Sequence, residues 1–187
     1  MNKVQEKIFE LAIPYLQKGV VKDFVTHTKG VIKSMELLLK KEKGDARLLI
    51  PAAILHDTGF SKVPVKYQKT KDRKLKVKGM ELHLFYAPDV INQVLPQVGF
   101  NSRDVRRICE IVISHKFKRP RDLDKQLLID ADNLSDVFKE QFYMDARSYK
   151  QKPIDLLEYR VKTNRFYTKT AQDIFEREVN KRRKEVK

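Results

Sequence analysis

Glycine and proline are scarce, at 6 and 7 of 187 residues. Few segments alternate apolar and polar side chains, so the pattern excludes a β-rich architecture. The single cysteine, Cys109, cannot close an internal disulfide, and nothing in the chain asks for an oxidising compartment. No stretch approaches the ~20 consecutive apolar residues of a membrane span. The opening residues, MNKVQEKIFE, carry charge where a secretion signal would need an apolar segment. The expectation is therefore a cytoplasmic protein with no membrane partner. Acidic residues are also in deficit, 25 against 40 Lys and Arg, which leaves a net charge of +15. A surface so basic attracts polyanions such as nucleotides or nucleic acid. Charge alone names no partner, and no zinc-finger, RRM or KH signature is present.

Apolar residues recur at helical spacing almost throughout, which predicts an all-α fold. The length suits one domain, or a domain with a helical extension. The expected helices run over residues 3–18, from the Asp23 N-cap to about 43, and from the Asp45 cap to His56. Further helices are expected from about 79 to 94, from 102 to 114, and from Asp122 or Asp124 to about 141. A long final helix is expected after Pro153, its charged end NKRRKEVK fraying in solvent. Residues 62–78 hold eight Lys or Arg and one Asp with no apolar stripe, and read as a loop. Ile154, Leu157 and Val161 mark the buried face of the last helix, suited to packing on the domain or on a second subunit. Phe85, Tyr86, Phe142, Tyr143, Phe166 and Tyr167 read as packing aromatics, and Cys109 as a structural thiol.

Only four histidines are present, and none falls on a clearly polar face. His27 shares a stripe with Val31, Met35 and Leu38. His83 shares one with Ala87, Ile91 and Val94. His115 follows Val105, Ile108 and Val112. His56 closes the most apolar segment of the chain, LLIPAAIL. A buried, unpaired polar group costs ~1–3 kcal/mol, so four scattered inward histidines would burden a domain. Gathering around one ion would satisfy them together. Asp57, directly after His56, needs a partner at the end of a buried helix, and a divalent cation provides one. Asp132, in LLIDADNLSDVF, borders the stripe of Leu127, Ala131, Leu134 and Phe138. On composition Asp130 serves nearly as well.

The ordered set His27, His56-Asp57, His83, His115 and Asp132 resembles the HD-domain superfamily of metal-dependent phosphohydrolases. The segments THTKGVIKSMELLL, LLIPAAILHDTGF, MELHLFYAPDVI, VRRICEIVISHK and LLIDADNLSDV carry the resemblance, over roughly residues 20 to 140. It implies an HD-type helical bundle with a C-terminal helical extension: residues 1–150 as the HD domain, and 151–187 as part of it or as an oligomer contact. It implies that His27, His56, Asp57 and Asp132 bind one divalent metal (Mn, Fe, Co, Ni, Mg or Zn), and it favours Asp132 over Asp130. His83 and His115 match positions that bind a second metal or substrate phosphate, so one or two ions are expected. The implied activity is hydrolysis of a nucleotide or other phosphorylated small molecule by a metal-activated water, with His56 and Asp57 as the catalytic pair.

Lys62 and Lys116, near the doublet and beside His115, are candidates to neutralise substrate phosphate. Leu84 stands where some relatives carry an acidic residue, and Lys116 where some binuclear ones carry a second histidine. The GYP motif of cyclic-dinucleotide members is absent after Asp57. The basic stretch 62–78 is expected to act as a lid over a polyanionic substrate. Two other functions fit the same residues: a basic nucleic-acid-binding helical protein with a structural metal site, in which Tyr67 could stack on a base, and an HD-fold oxygenase with a di-iron centre. A helical domain without activity is a third.

Overall fold

In the computed structural model, residues 1–186 are described. Among them there are ten α-helices, two short 3-10 segments and no strand. The helices are α1 (Lys3–Leu16), α2 (Phe24–Leu38), α3 (Ala46–Leu55), α4 (Val65–Gln68), α5 (Arg73–Val94), α6 (Ser102–Val112), α7 (Leu123–Ser135), α8 (Lys139–Ser148), α9 (Pro153–Thr163) and α10 (Lys169–Glu185). Among the described residues, no helix is long and apolar enough to cross a membrane.

Short polar side chains start most of these helices by accepting their free backbone N–H groups. Asp23 takes the amides of Val25 and Thr26, as its position in the sequence predicts. Asp45 takes that of Arg47, and Asp122 that of Lys125. Asn101, rather than Ser102, caps α6 through the amide of Asp104.

After its first two residues, helix α3 is buried throughout, from Leu48 to Leu55. It forms the centre of the bundle, with α1, α2, α6 and α7 packed around it. Leu49, Ile54, Leu55, Ile108 and Leu127 are fully enclosed there. Burying one such aliphatic side chain contributes ~1.5–3 kcal/mol, so this centre holds the surrounding helices against α3.

The stretch 62–78 is not a loop. It contains α4 and the first turns of α5. Asp72 caps α5 through the amides of Lys74 and Leu75, and lysine-rich turns need no apolar stripe when they face solvent. Gly79 lets the two helices meet, since a Cβ there would stand 2.7 Å from the carbonyl oxygen of Tyr67.

Two long helices predicted from periodicity are each broken. The one expected from 122 to 141 ends at Ser135, and α8 restarts after an extended Phe138. The one expected after Pro153 breaks at extended Asn164, whose side-chain amide donates to the carbonyl of Asn133. On α9 it is Leu156 and Leu157 that are buried, while Ile154 is exposed. The charged end does not fray: α10 runs to Glu185 and Arg182 is buried. Lys187, the last residue of that charge run, lies outside the described residues. Helix α2 stops at Leu38 rather than near 43. Of the aromatics expected to pack, Phe85 is 73% exposed and Tyr167 is 40% exposed.

Candidate metal centre

Six side chains from five elements converge beside α3: His27, His56, Asp57, His83, His115 and Asp132. All are buried. His27 stands one turn into α2. His56 closes α3, and Asp57 follows it into the 3-10 turn Thr58–Lys62. Gly59 brings that turn against α5. A Cβ there would lie 2.0 Å from the carbonyl oxygen of His83, so only glycine permits the approach that sets Asp57 beside His83.

The imidazoles are oriented from behind. His56 Nδ1 lies 2.9 Å from the carbonyl of Ala53, and His115 Nδ1 lies 2.6 Å from that of Val112. A carbonyl only accepts, so each Nδ1 carries the proton and each Nε2 presents a lone pair. The Ser135 hydroxyl donates to the Asp132 carbonyl at 2.7 Å and stands 3.4 Å from His27 Nδ1, which gives His27 the same tautomer. The His83 ring stacks on Phe60 with centroids 4.3 Å apart, and its Nδ1 is buried with no partner among the described residues.

Asp57 divides the cluster. Its Oδ2 lies 3.4 Å from His27 Nε2 and 3.3 Å from His56 Nε2. Its Oδ1 lies 3.6 Å from His83 Nε2 and 3.8 Å from His115 Nε2. Asp132 Oδ1 closes the first group at 3.2 Å from His27 Nε2. The two Nε2 atoms of the first pair are 3.2 Å apart, and those of the second 3.4 Å. Ligands ~2.1 Å from one ion and ~90–110° apart are separated by about 3.0–3.4 Å. Most spacings of the first group, 3.2–3.4 Å, fall in that range, while His56 Nε2 and Asp132 Oδ1 are 3.9 Å apart and the second group is wider, at 3.4–3.8 Å. Lone pairs facing one another in a buried chamber repel unless a cation lies between them. The donor set of imidazole and carboxylate suits several divalent transition metals. The cluster is thus a buried His/Asp arrangement of the kind that holds metal.

The charges are consistent with that chemistry. Burial works to raise the Asp57 carboxyl, but the His56 imidazole and the Lys22 ammonium outweigh it and hold it well below the ordinary range. Asp132 is also held well below the ordinary range, against its burial, by Lys116 and His27. Burial, with a contribution from Lys22, lowers His27 to about 4, and burial lowers His83 to about 3. Burial also lowers His115. In His56 the charge of Asp57 overcomes burial and raises the ring. Near neutrality most of the cluster therefore offers neutral imidazoles and ionised carboxylates, the protonation states that bind metal.

A cavity of about 460 Å³ opens onto Asp57 and His83. Lys116 lines it and pairs with Asp132. Lys62 does not line it; its ammonium pairs with Asp89 at 2.8 Å on the surface. Sequence reasoning missed Lys22, whose ammonium stands 3.5 Å from Asp57 Oδ2. Its one sequence signal is adjacency to the Asp23 cap, a turn before His27. Asp130 is occupied elsewhere: its carboxylate accepts the backbone N–H groups of Tyr167 and Thr168 and the Thr168 hydroxyl. It ties the entry of α10 to α7, and Asp132 alone of the two reaches the histidines.

Comparison with known proteins supports this picture. The family model described as HD domain matches residues 24–136, which span every member of the cluster. Among solved structures, the crystal structure of a predicted HD superfamily hydrolase from an uncultured Thermotogales bacterium is similar. Its TM-score is 0.61, over 97% of this chain and 88% of that one. At 22% identity the likeness speaks for the fold. No curated protein matches the chain.

Proposed function

The chain belongs to the HD-domain family, and from that membership and the buried cluster we propose that it is a metal-dependent phosphohydrolase acting on a nucleotide or other phosphorylated small molecule. The observation that carries the reading is Asp57, with one carboxylate oxygen toward His27 and His56 and the other toward His83 and His115. In this reading His27, His56, Asp57 and Asp132 hold one divalent ion. His83 and His115 hold a second ion or meet substrate phosphate. A bound divalent ion would polarise the phosphoryl group and make water a nucleophile near neutral pH.

The chain's own groups do the rest. Asp57, ionised and fixed between four imidazoles, accepts a hydrogen bond from the attacking water and orients it. His56 is held in register by Ala53 and keeps that carboxylate in place. Lys22 and Lys116 stand at the cavity beside Asp57 and Asp132, where they can take up charge on phosphoryl oxygens. Lys62 has no part in this reading, since Asp89 engages it. Residues 1–150 are read as the HD domain, with the helices after 150 belonging to the same unit.

The test is a screen of phosphorylated compounds with Mn, Co, Mg, Ni and Fe, using Asp57→Ala as the blank. Phosphate release that needs both the metal and Asp57 is the expected result. Iron-bound protein with oxygen-dependent turnover would contradict it, and so would salt-sensitive nucleic-acid binding without hydrolysis.

A further inference from the structure

The cavity above Asp57 has a wall that the HD-matched segment does not supply. Tyr149, at the end of α8, and Tyr159, on α9, both line it, and both lie beyond residue 136, where the family match ends. Tyr67 on α4 lines it as well, with the Lys66 ammonium 5.0 Å from its ring centroid. Tyr149 and Tyr159 are 46% and 56% exposed.

Their placement is built. Arg160, next to Tyr159, is mostly buried and reaches Asp136 at 2.7 Å and Asp145 at 2.9 Å, joining α9 to the end of α7 and to α8. The Asn164 bond to Asn133 fixes the far end of α9. Beyond Tyr149, Lys150 takes a positive φ of 53°, and Gln151 donates its N–H to the Ala146 carbonyl, which ends α8 sharply. The ring of Tyr159 is thus carried on a clamped helix rather than a free tail.

The cavity also holds three lysines, Lys22, Lys76 and Lys116. Its volume lies within the ~300–1,000 Å³ of small-molecule sites. Its chemistry is cationic and carboxylate-bearing at Asp57 and aromatic along the C-terminal wall. A ligand that satisfies both carries a phosphate and a planar ring within one molecule.

We infer that Tyr149 and Tyr159, with Tyr67, form a stacking platform for the base of a mononucleotide whose phosphate lies at Asp57, and that the C-terminal helices thereby set substrate choice. The inference deepens the proposed function and rests on its placing of phosphate at Asp57. Aromatic faces hold bases with little regard to base identity, so purine and pyrimidine nucleotides are both accepted.

The test compares AMP and UMP with ribose 5-phosphate, which keeps the phosphate and lacks the base. Turnover with Mn and binding by calorimetry are measured for the natural chain, Tyr149→Ala, Tyr159→Ala and Tyr159→Phe. Phe85→Ala, an exposed aromatic outside the cavity, is the control. The natural chain is expected to prefer the nucleotides. The preference, as a ratio of kcat/KM or of Kd, should fall by at least about 5-fold in Tyr159→Ala and Tyr149→Ala, and should be retained in Tyr159→Phe and the control. A ratio unchanged in both alanine variants, or no preference in the natural chain, overturns the inference. Binding preference that depends on the tyrosines without any hydrolysis keeps the platform and removes the phosphohydrolase reading.

Discussion

His27 Nε2 and His56 Nε2 face each other 3.2 Å apart, in a chamber that leaves both rings without solvent contact. The Ala53 carbonyl and the Ser135 hydroxyl face the Nδ1 atoms, so the two Nε2 atoms meet with Asp57 and Asp132 alongside. Such a chamber is costly when empty and favourable when a cation fills it.

Metal should stabilise the fold strongly. An ion bound at a hundred times its Kd contributes ~2.7 kcal/mol. For a chain of this length that corresponds to a rise in Tm of about 5–10 °C. Thermal melts in EDTA and in excess Mn or Co should differ by this amount, and the difference should vanish in His56→Ala.

Acid should weaken the metal-free protein from the histidines upward. His27 and His83 titrate at about 4 and about 3 when folded, against about 6.5 in an unfolded chain. Between those values the unfolded state binds more protons, so stability falls as pH drops from about 6.5 toward 4. His115 acts in the same direction, while His56, raised by Asp57, exerts its pH dependence above about 6.5, outside this window. Urea midpoints measured from pH 7.5 to 4.5 in EDTA should decline across this window. A flat profile would mean the rings are not buried as neutral groups.

Removing the Arg160 clamp should undock α9. Arg160→Ala leaves Asp136 and Asp145 without their shared cation. Breaking a fully buried pair by removing one partner costs ~3–5 kcal/mol, and this partly buried one should cost toward or below the lower end. Denaturant unfolding should show a loss of that order, and limited proteolysis should cut first near residues 150–165. Arg160→Lys should recover only part of the loss, because one ammonium cannot span both carboxylates as the guanidinium fork does.

Gly59→Ala should be far more damaging than a one-carbon change suggests. The added Cβ would meet the backbone of α5 at His83, which cannot swing aside as a side-chain tip can. The expected cost is at or above the upper end of the ~1–3 kcal/mol of overpacked sites, with metal binding weakened in whatever fraction folds. Circular dichroism melts together with metal analysis check both parts.

Much of this was legible because periodicity and burial go together. The stripes through His27, His83 and His115 run along faces that do pack inward, and the apolar run before His56 does form the central helix. Distinguishing Asp132 from Asp130 needed the family resemblance. The two are adjacent in pattern, and only the fold shows Asp130 engaged by Tyr167 and Thr168. The breaks at Ser135 and Asn164 were not legible, because side-chain bonds to distant residues made them, and periodicity carries no trace of such bonds. Residues 62–78 misled for a related reason: a solvent-facing helix start held by the Asp72 cap has no apolar stripe to reveal it. Lys22, Tyr149 and Tyr159 reach the cavity from elements far apart in the chain, so their role belongs to tertiary structure.

Metal content of the purified chain beside Asp57→Ala is the most direct test of the central claim, since Asp57 stands in both halves of the cluster. Elemental analysis should find one or two divalent ions per natural chain, and a large loss in the variant with its helical content retained. Unchanged metal content in Asp57→Ala would contradict the account.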